Sequence, residues 1–251
     1  MTEVKQIAGE VNESRDQAVD DLFKNMKDES IKVLDLPSRG KFYGKFKGID
    51  VFPLTFSDEQ LVLAGKGRRG DPVSDLLDKT TKGVAVDNIL AMDKMYLLMK
   101  VRELSYGDKY EFSVVCPSCK YDSKASINLS EQLRINMIPE DETDPRTVTL
   151  PKLGVEATVR FPRGDEEHYM ADMDELYKNI YRFMVDLNGE TDPVFMAKAV
   201  RKMHIMDVKT LVKEVVKPEY GVDSRFVFKC GNCGNKETMS IPLDSNFFSV
   251  S

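Results

Sequence analysis

The spacing of apolar positions changes several times along the chain. Near the start, Val4, Ile7 and Val11 share one helical face, and Val19, Leu22, Phe23 and Met26 resume it beyond the polar Ser14-Arg15 break. This predicts an N-terminal helical arm or flexible tail over residues 1–30, able to bury its stripe on a partner. The period then shortens towards two at 32–36 and 49–56, and again at 147–150 and 155–161. β-Branched residues support strands there. Ser57 with Gln60 reads as a capping box that opens a helix. A stripe of Tyr169, Met173, Leu176, Tyr177, Ile180, Phe183, Met184 and Leu187 predicts a second helix. The acids Asp165, Glu166 and Glu167 favour its start, and Asn188-Gly189 its stop. Asp71-Pro72-Val73 and Asp192-Pro193-Val194 each open a further helical region, with main helices near 86–104 and 194–216. Ile89, Leu90, Leu97, Val101 and Leu104 argue for burial of the first. Helices with short antiparallel strands make an α+β plan.

The pattern also repeats. Phe112-Ser-Val-Val-Cys116-Pro-Ser-Cys119 resembles Phe226-Val-Phe-Lys-Cys230-Gly-Asn-Cys233 at an offset of 114. At that offset residues 92–129 align with 206–243 without a gap, and 12 of 38 positions are identical. Average composition predicts only about 6% identity. The same offset pairs Leu36-Pro37 with Leu150-Pro151 and Gly40 with Gly154. The expected organisation is therefore an internal duplication: an arm over 1–30, a first αβ half over 31–131 and a second over 132–251, each half ending in a Cys-bearing hairpin.

Composition narrows the class. A chain of 251 residues suits one or two domains, and 41% apolar residues suffice for a core. The formal charge is -6, from 36 Lys+Arg against 42 Asp+Glu, which argues against broad binding to nucleic acid or an anionic membrane. Residues 1–30 lack the apolar core of a signal peptide. The longest apolar stretch, around residues 95–99, is far short of the roughly 20 residues of a membrane span. These features imply a soluble protein kept in a reducing cytoplasm, where structural disulfides are disfavoured.

That leaves the four cysteines, Cys116, Cys119, Cys230 and Cys233. Two Cys-x-x-Cys units between strand patterns read as four thiolates for one zinc, because a tight turn brings two sulfurs to one ion at about 2.3 Å. Pro117, Gly231 and Gly234 suit the turns, while Lys120 replaces the glycine of the first. A redox pair would need a βα context that neither flank offers. Between Cys119 and Cys230 lie 110 residues, and the duplication accounts for this gap: each half supplies one hairpin and the metal joins the halves in a zinc-ribbon-like pair. Closing such a loop costs about 4 kcal/mol, against roughly 10–16 kcal/mol from zinc binding to thiolates. Four protein ligands leave no position for water, so the zinc is structural, one per chain. Hairpins meeting between chains would instead lock a dimer, and the sequence leaves the oligomeric state open.

Other candidates carry less. Ala64-Gly-Lys-Gly-Arg-Arg-Gly70 is not a phosphate-binding P-loop, although Lys66, Arg68 and Arg69 could contact a partner. Leu36-Pro-Ser-Arg-Gly-Lys-Phe-Tyr-Gly44 is turn-rich, and its counterpart Leu150-Pro-Lys-Leu-Gly154 keeps Pro and Gly but not Arg, which favours shape over chemistry. His168 and His204 stand apart from any nucleophile. With no convergent catalytic set, an enzyme is not expected.

The order Leu36-Pro-x-x-Gly40, Pro53-Leu-Thr-Phe-Ser-Asp-Glu59, Met99-Lys-Val-Arg-Glu-Leu-Ser-Tyr-Gly-Asp108 and Cys116-Pro-Ser-Cys119 resembles the baseplate hub assembly proteins of T-even-like contractile-tailed phages, over about residues 31–245. The resemblance implies a non-enzymatic protein, an assembly chaperone or hub subunit, whose partners are other hub and baseplate proteins. It would act in the host cytoplasm during assembly or in the virion tail. The rival class is a zinc-ribbon adaptor for nucleic acid or RNA polymerase. Against it, Lys120, Lys124, Arg225, Lys229 and Lys236 on the hairpins are interleaved with Asp122, Asp223 and Glu237.

Overall fold

The structure is a computed structural model that describes residues 15–19, 21–23, 29–63, 72–164, 166–170, 172–216, 220–242 and 245–248. Two compact units divide the chain, Met1–Ser30 and Ile31–Ser251. In the first, residues 15–19 and 21–23 are helical, with Val19, Leu22 and Phe23 exposed.

The second unit is a mixed α/β assembly of small antiparallel sheets. β1 (Ile31–Val33), β2 (Ile49–Val51) and β3 (Thr81–Lys82) form one sheet. Helices α1 (Phe56–Leu63) and α2 (Pro72–Thr80) lie between β2 and β3, and α3 (Ala91–Tyr106) follows. β4 (Lys109–Val115) and β5 (Asp122–Asn128) make the first hairpin. The short α4 (Leu129–Gln132) leads to β6 (Arg134–Asn136). β7 (Arg146–Thr149), β8 (Glu156–Val159) and β9 (Met184–Leu187) form a second three-stranded sheet, with α5 (Met173–Asn179) before β9. Then come α6 (Pro193–Val200), α7 (Ile205–Val215), β10 (Gly221–Asp223) and a second hairpin of β11 (Arg225–Lys229) and β12 (Lys236–Ser240). No helix among the described residues is long and apolar enough to cross a membrane.

Several elements differ from the sequence expectation. The capping box of α1 is Thr55 with Asp58, not Ser57 with Gln60. The Asp58 N–H donates to Thr55 Oγ1 at 3.3 Å, and the Thr55 N–H returns to Asp58 Oδ2 at 3.0 Å. The stripe expected to run as one helix to Leu187 stops early. α5 starts at Asp172, whose carboxylate accepts the Glu175 N–H at 2.9 Å. It tightens into a 3-10 turn at Ile180–Phe183, and Met184–Leu187 then pairs with β8. Asn188 (φ 54) and Gly189 (φ 88) turn the chain after this strand rather than ending a helix. Met184, Val185 and Leu187 suit either state, and a distant partner strand decides it. The region expected as one helix over 194–216 is two. His204 restarts it as the N-cap of α7, its Nδ1 accepting the Met206 N–H at 3.1 Å.

Two apolar clusters fill the unit, and they do not follow the chain midpoint. One holds Leu36, Ile49, Leu76, Leu97, Val101 and the first hairpin, together with Phe228, Ile241, Phe247 and Phe248 from the C-terminal part. The other gathers Leu150, Ala157, Ile180, Phe183, Leu211 and Val215. Several residues 114 positions apart are placed alike. Leu36 and Leu150 are both fully buried, as are Leu97 and Leu211. The Ser38 N–H donates to the buried Asp93 at 2.9 Å, and the Lys152 N–H to the buried Asp207 at 2.7 Å. Gly107 (φ 81) and Gly221 (φ 99) both take a conformation that side chains resist. Gly107 caps α3 by donating its N–H to the Glu103 carbonyl at 2.9 Å.

Candidate metal centre

The two Cys turns are built alike. The Cys116 N–H donates to the Tyr121 carbonyl at 2.9 Å, and the Lys120 N–H returns to the Cys116 carbonyl at 2.9 Å. In the second hairpin the Cys230 N–H donates to the Asn235 carbonyl at 2.9 Å, and the Gly234 N–H to the Cys230 carbonyl at 3.0 Å. Both turns need a left-handed residue after the second cysteine: Gly234 at φ 73 and, unusually, Lys120 at φ 61. Behind the turns the hairpins meet through aromatic side chains. Phe112 meets Phe226 edge-on at 5.3 Å between ring centroids, and Tyr110 stacks on Phe112 at 5.0 Å. Cys116 and Cys230 are buried, Cys119 is intermediate and Cys233 exposed.

This packing brings the four sulfurs together. All lie within 4.8 Å of one another, and none is in a disulfide. Cys116 and Cys233 are 3.7 Å apart, as are Cys119 and Cys230. A tetrahedron with metal–sulfur bonds of about 2.3 Å has edges of about 3.8 Å, so both spacings are those of ligands around one ion. The pairs at 3.7 Å run between hairpins, so an ion held here would tie β4/β5 to β11/β12 within one chain. A set of four thiolates suits a soft or borderline ion, zinc or iron, and gives hard cations no oxygen.

The surroundings prepare thiolates unequally. The Tyr121 backbone N–H and then the Asn232 amide, 3.7 Å from the sulfur, pull Cys119 down to about 6. The Cys233 N–H pulls Cys230 down as well. At Cys233 the Asn235 N–H acts in the same direction. Cys119, desolvation, Cys230 and Cys116 together outweigh it and push Cys233 up to about 12. Four sulfurs this close cannot all ionise without a cation among them.

Among the described residues, the other candidates from the sequence have places of their own. Lys66, Arg68 and Arg69 lie outside the described residues. His204 caps α7, and the His168 ring rests 3.8 Å from that of Tyr169. Glu166 holds Arg160 in a two-point ion pair at 2.7 and 2.8 Å. Asp93 escaped the sequence reading as a structural centre. It accepts the Ser38 N–H and, at 2.5 Å, the Tyr43 hydroxyl, which in turn accepts the Leu90 N–H at 2.8 Å. Burial raises Asp93 above the ordinary carboxylate value despite these donors, and burial with Asp93 drives Tyr43 far above the usual phenol. Its identity with Asp207 at the repeat offset was the one signal that could have flagged it.

The family model described as T4 bacteriophage base plate protein matches residues 26–249. No curated protein and no solved structure matches the chain.

Proposed function

Because the chain belongs to the T4 bacteriophage base plate protein family, we propose that it is a non-enzymatic component of the baseplate hub, a structural subunit or an assembly chaperone that works through contacts with other phage proteins. The family match over residues 26–249 carries this reading. Its place of action is the virion tail, reached by assembly in the host cytoplasm.

The four cysteines hold one structural zinc per chain in this proposal. Sulfur spacings of 3.7 Å support it, as does the four-thiolate donor set, which completes a tetrahedral shell. Zinc then joins two duplicated halves, a reading supported by the paired Ser38–Asp93 and Lys152–Asp207 bonds and the matched Cys turns. The joint matters because small sheets of two or three strands are marginal alone and gain rigidity from a metal crosslink.

Two measurements test the proposal. Metal analysis of protein purified without chelator should return one zinc per chain, and well under one overturns the metal. Co-purification from an infected host should recover baseplate proteins. Recovery of RNA polymerase, or salt-dependent DNA binding at micromolar protein, would instead favour the adaptor class.

A further inference from the structure

The two hairpins leave a groove along one side, about 690 Å³ in volume, between β5 and β11. Its walls include Lys124, Ala125, Ser126 and Ile127 in succession, and Phe226, Val227, Phe228 and Lys229 opposite. Consecutive strand residues point to opposite faces, so a cavity touching four in a row is bounded by the strands' edges. Among the described residues neither edge has a further strand: β5 pairs with β4 alone and β11 with β12 alone.

The register identifies the free backbone groups. In the first hairpin, Cys116 with Tyr121 and Asp108 with Leu129 are hydrogen-bonded across the strands. Alternation along the antiparallel ladder then turns the N–H and C=O groups of Lys124 and Ser126 outward. In the second, Cys230 with Asn235 and Ser224 with Ile241 are bonded, which turns those of Val227 and Lys229 outward. All four residues line the groove. Val227 is 69% exposed, an apolar side chain on an open edge.

Charge selects the occupant. Lys124, Arg134, Arg225 and Lys229 line the groove, with Asp223 as its one acid among the lining residues. That acid is paired with Arg225 at 2.7 Å, so the two cancel and the groove's remaining charge is that of Lys124, Arg134 and Lys229; Lys229 stands directly opposite Lys236 across the hairpin. Like charges in that position repel until an anion arrives. A second hollow, sharing Arg134, Asp223 and Arg225, continues the groove past β6 and β10. Open strand edges favour a polypeptide over a nucleic acid, because their N–H and C=O groups match a peptide backbone. The chain's net charge of -6 also disfavours a polyanion of high charge density.

We infer that this groove takes an extended acidic segment of another protein, added as a strand along the β11 edge, with alternate carboxylates meeting Lys124, Arg134 and Lys229. The inference rests on the protein-contact reading and supplies it with a surface. The test uses the full chain with its metal and a capped eight-residue peptide alternating Glu and Val, followed by fluorescence anisotropy. Binding should weaken at least tenfold in Val227→Pro, which removes an outward N–H, and in the double variant Lys124→Glu with Lys229→Glu. Metal content checks that the variants fold. The same peptide N-methylated at alternate residues should fail to bind wild-type protein, a readout that leaves the chain unaltered. The inference is overturned if wild type ignores the Glu–Val peptide, if N-methylation has no effect, or if a dT oligonucleotide displaces the peptide. It also falls if the variants bind a purified baseplate protein as wild type does, an outcome that leaves the proposed function standing. Loss of all baseplate binding by wild type would instead remove that function, with peptide binding read separately.

Discussion

Asp93 and Asp207 accept a backbone N–H from equivalent turns, at 2.9 and 2.7 Å. Asp93 carries Tyr43 on its other oxygen, whereas the position 114 residues after Tyr43 is Ala157. The Cys turns differ in a parallel way. Their hydrogen bonds coincide, yet a left-handed lysine stands in the first and a glycine in the second. These paired sites therefore agree where backbone geometry positions something and diverge where a side chain only supports it. Tyr43 joins its loop to α3 through Asp93 and Leu90.

The strongest way to break the comparison lies at the proposed metal. Cys116→Ser and Cys230→Ser should each lose the ion and on the order of 10 kcal/mol of metal-linked stabilisation. Metal content and thermal unfolding measure this. Equal losses would mark the halves as equivalent donors, and unequal losses would separate them. Binding should also weaken as pH falls, because the ion must displace thiol protons. The dependence steepens below about 6, where Cys119 too becomes protonated. Competition with a chromophoric chelator between pH 5.5 and 8 reads the slope.

The carboxylate sockets should divide next. Asp93→Ala removes the acceptor of both the Ser38 N–H and the Tyr43 O–H, and about 4 kcal/mol of stability should be lost. Asp207→Ala, stranding the Lys152 N–H, should cost about 2 kcal/mol. Urea unfolding of the metal-loaded variants compares them. Asp93 also sets a pH sign. Burial raises its folded value, so the folded chain holds this proton more tightly than the unfolded chain. Its contribution to stability therefore falls as pH rises from about 3.9, the unfolded value, through the raised folded one. Asp93→Asn should flatten that decline. The smallest effects belong to the turns. Lys120→Gly should stabilise the first by about 1 kcal/mol, and Gly234→Ala should destabilise the second by a similar amount. At Gly234 a Cβ would meet nothing within 4 Å, so the cost there is backbone strain alone.

Much of the site was legible because its parts are local. A Cys-x-x-Cys turn is specified within six residues, and its recurrence at 114 identifies all four sulfurs. The helical spacing of Leu97 and Val101 likewise marked residues that α3 buries. The capping box was misplaced by two residues because Ser57 and Thr55 both carry a suitable hydroxyl, and only the strand end at Val51 and the Asp58 carboxylate settle the start. Met184–Leu187 read as helix because its side chains fit the preceding stripe.

The sequence by itself determined the family, the α+β character, the paired cysteines and most buried faces, since each depends on residue type at short spacing. Tertiary structure alone decided that Met184–Leu187 becomes β9, that β6 pairs with β10, and that Phe228, Ile241, Phe247 and Phe248 complete the first cluster rather than the second. It also opened the groove between β5 and β11. Each of these depends on partners far apart in sequence, where burial and strand pairing outweigh local preferences of well under 1 kcal/mol per residue.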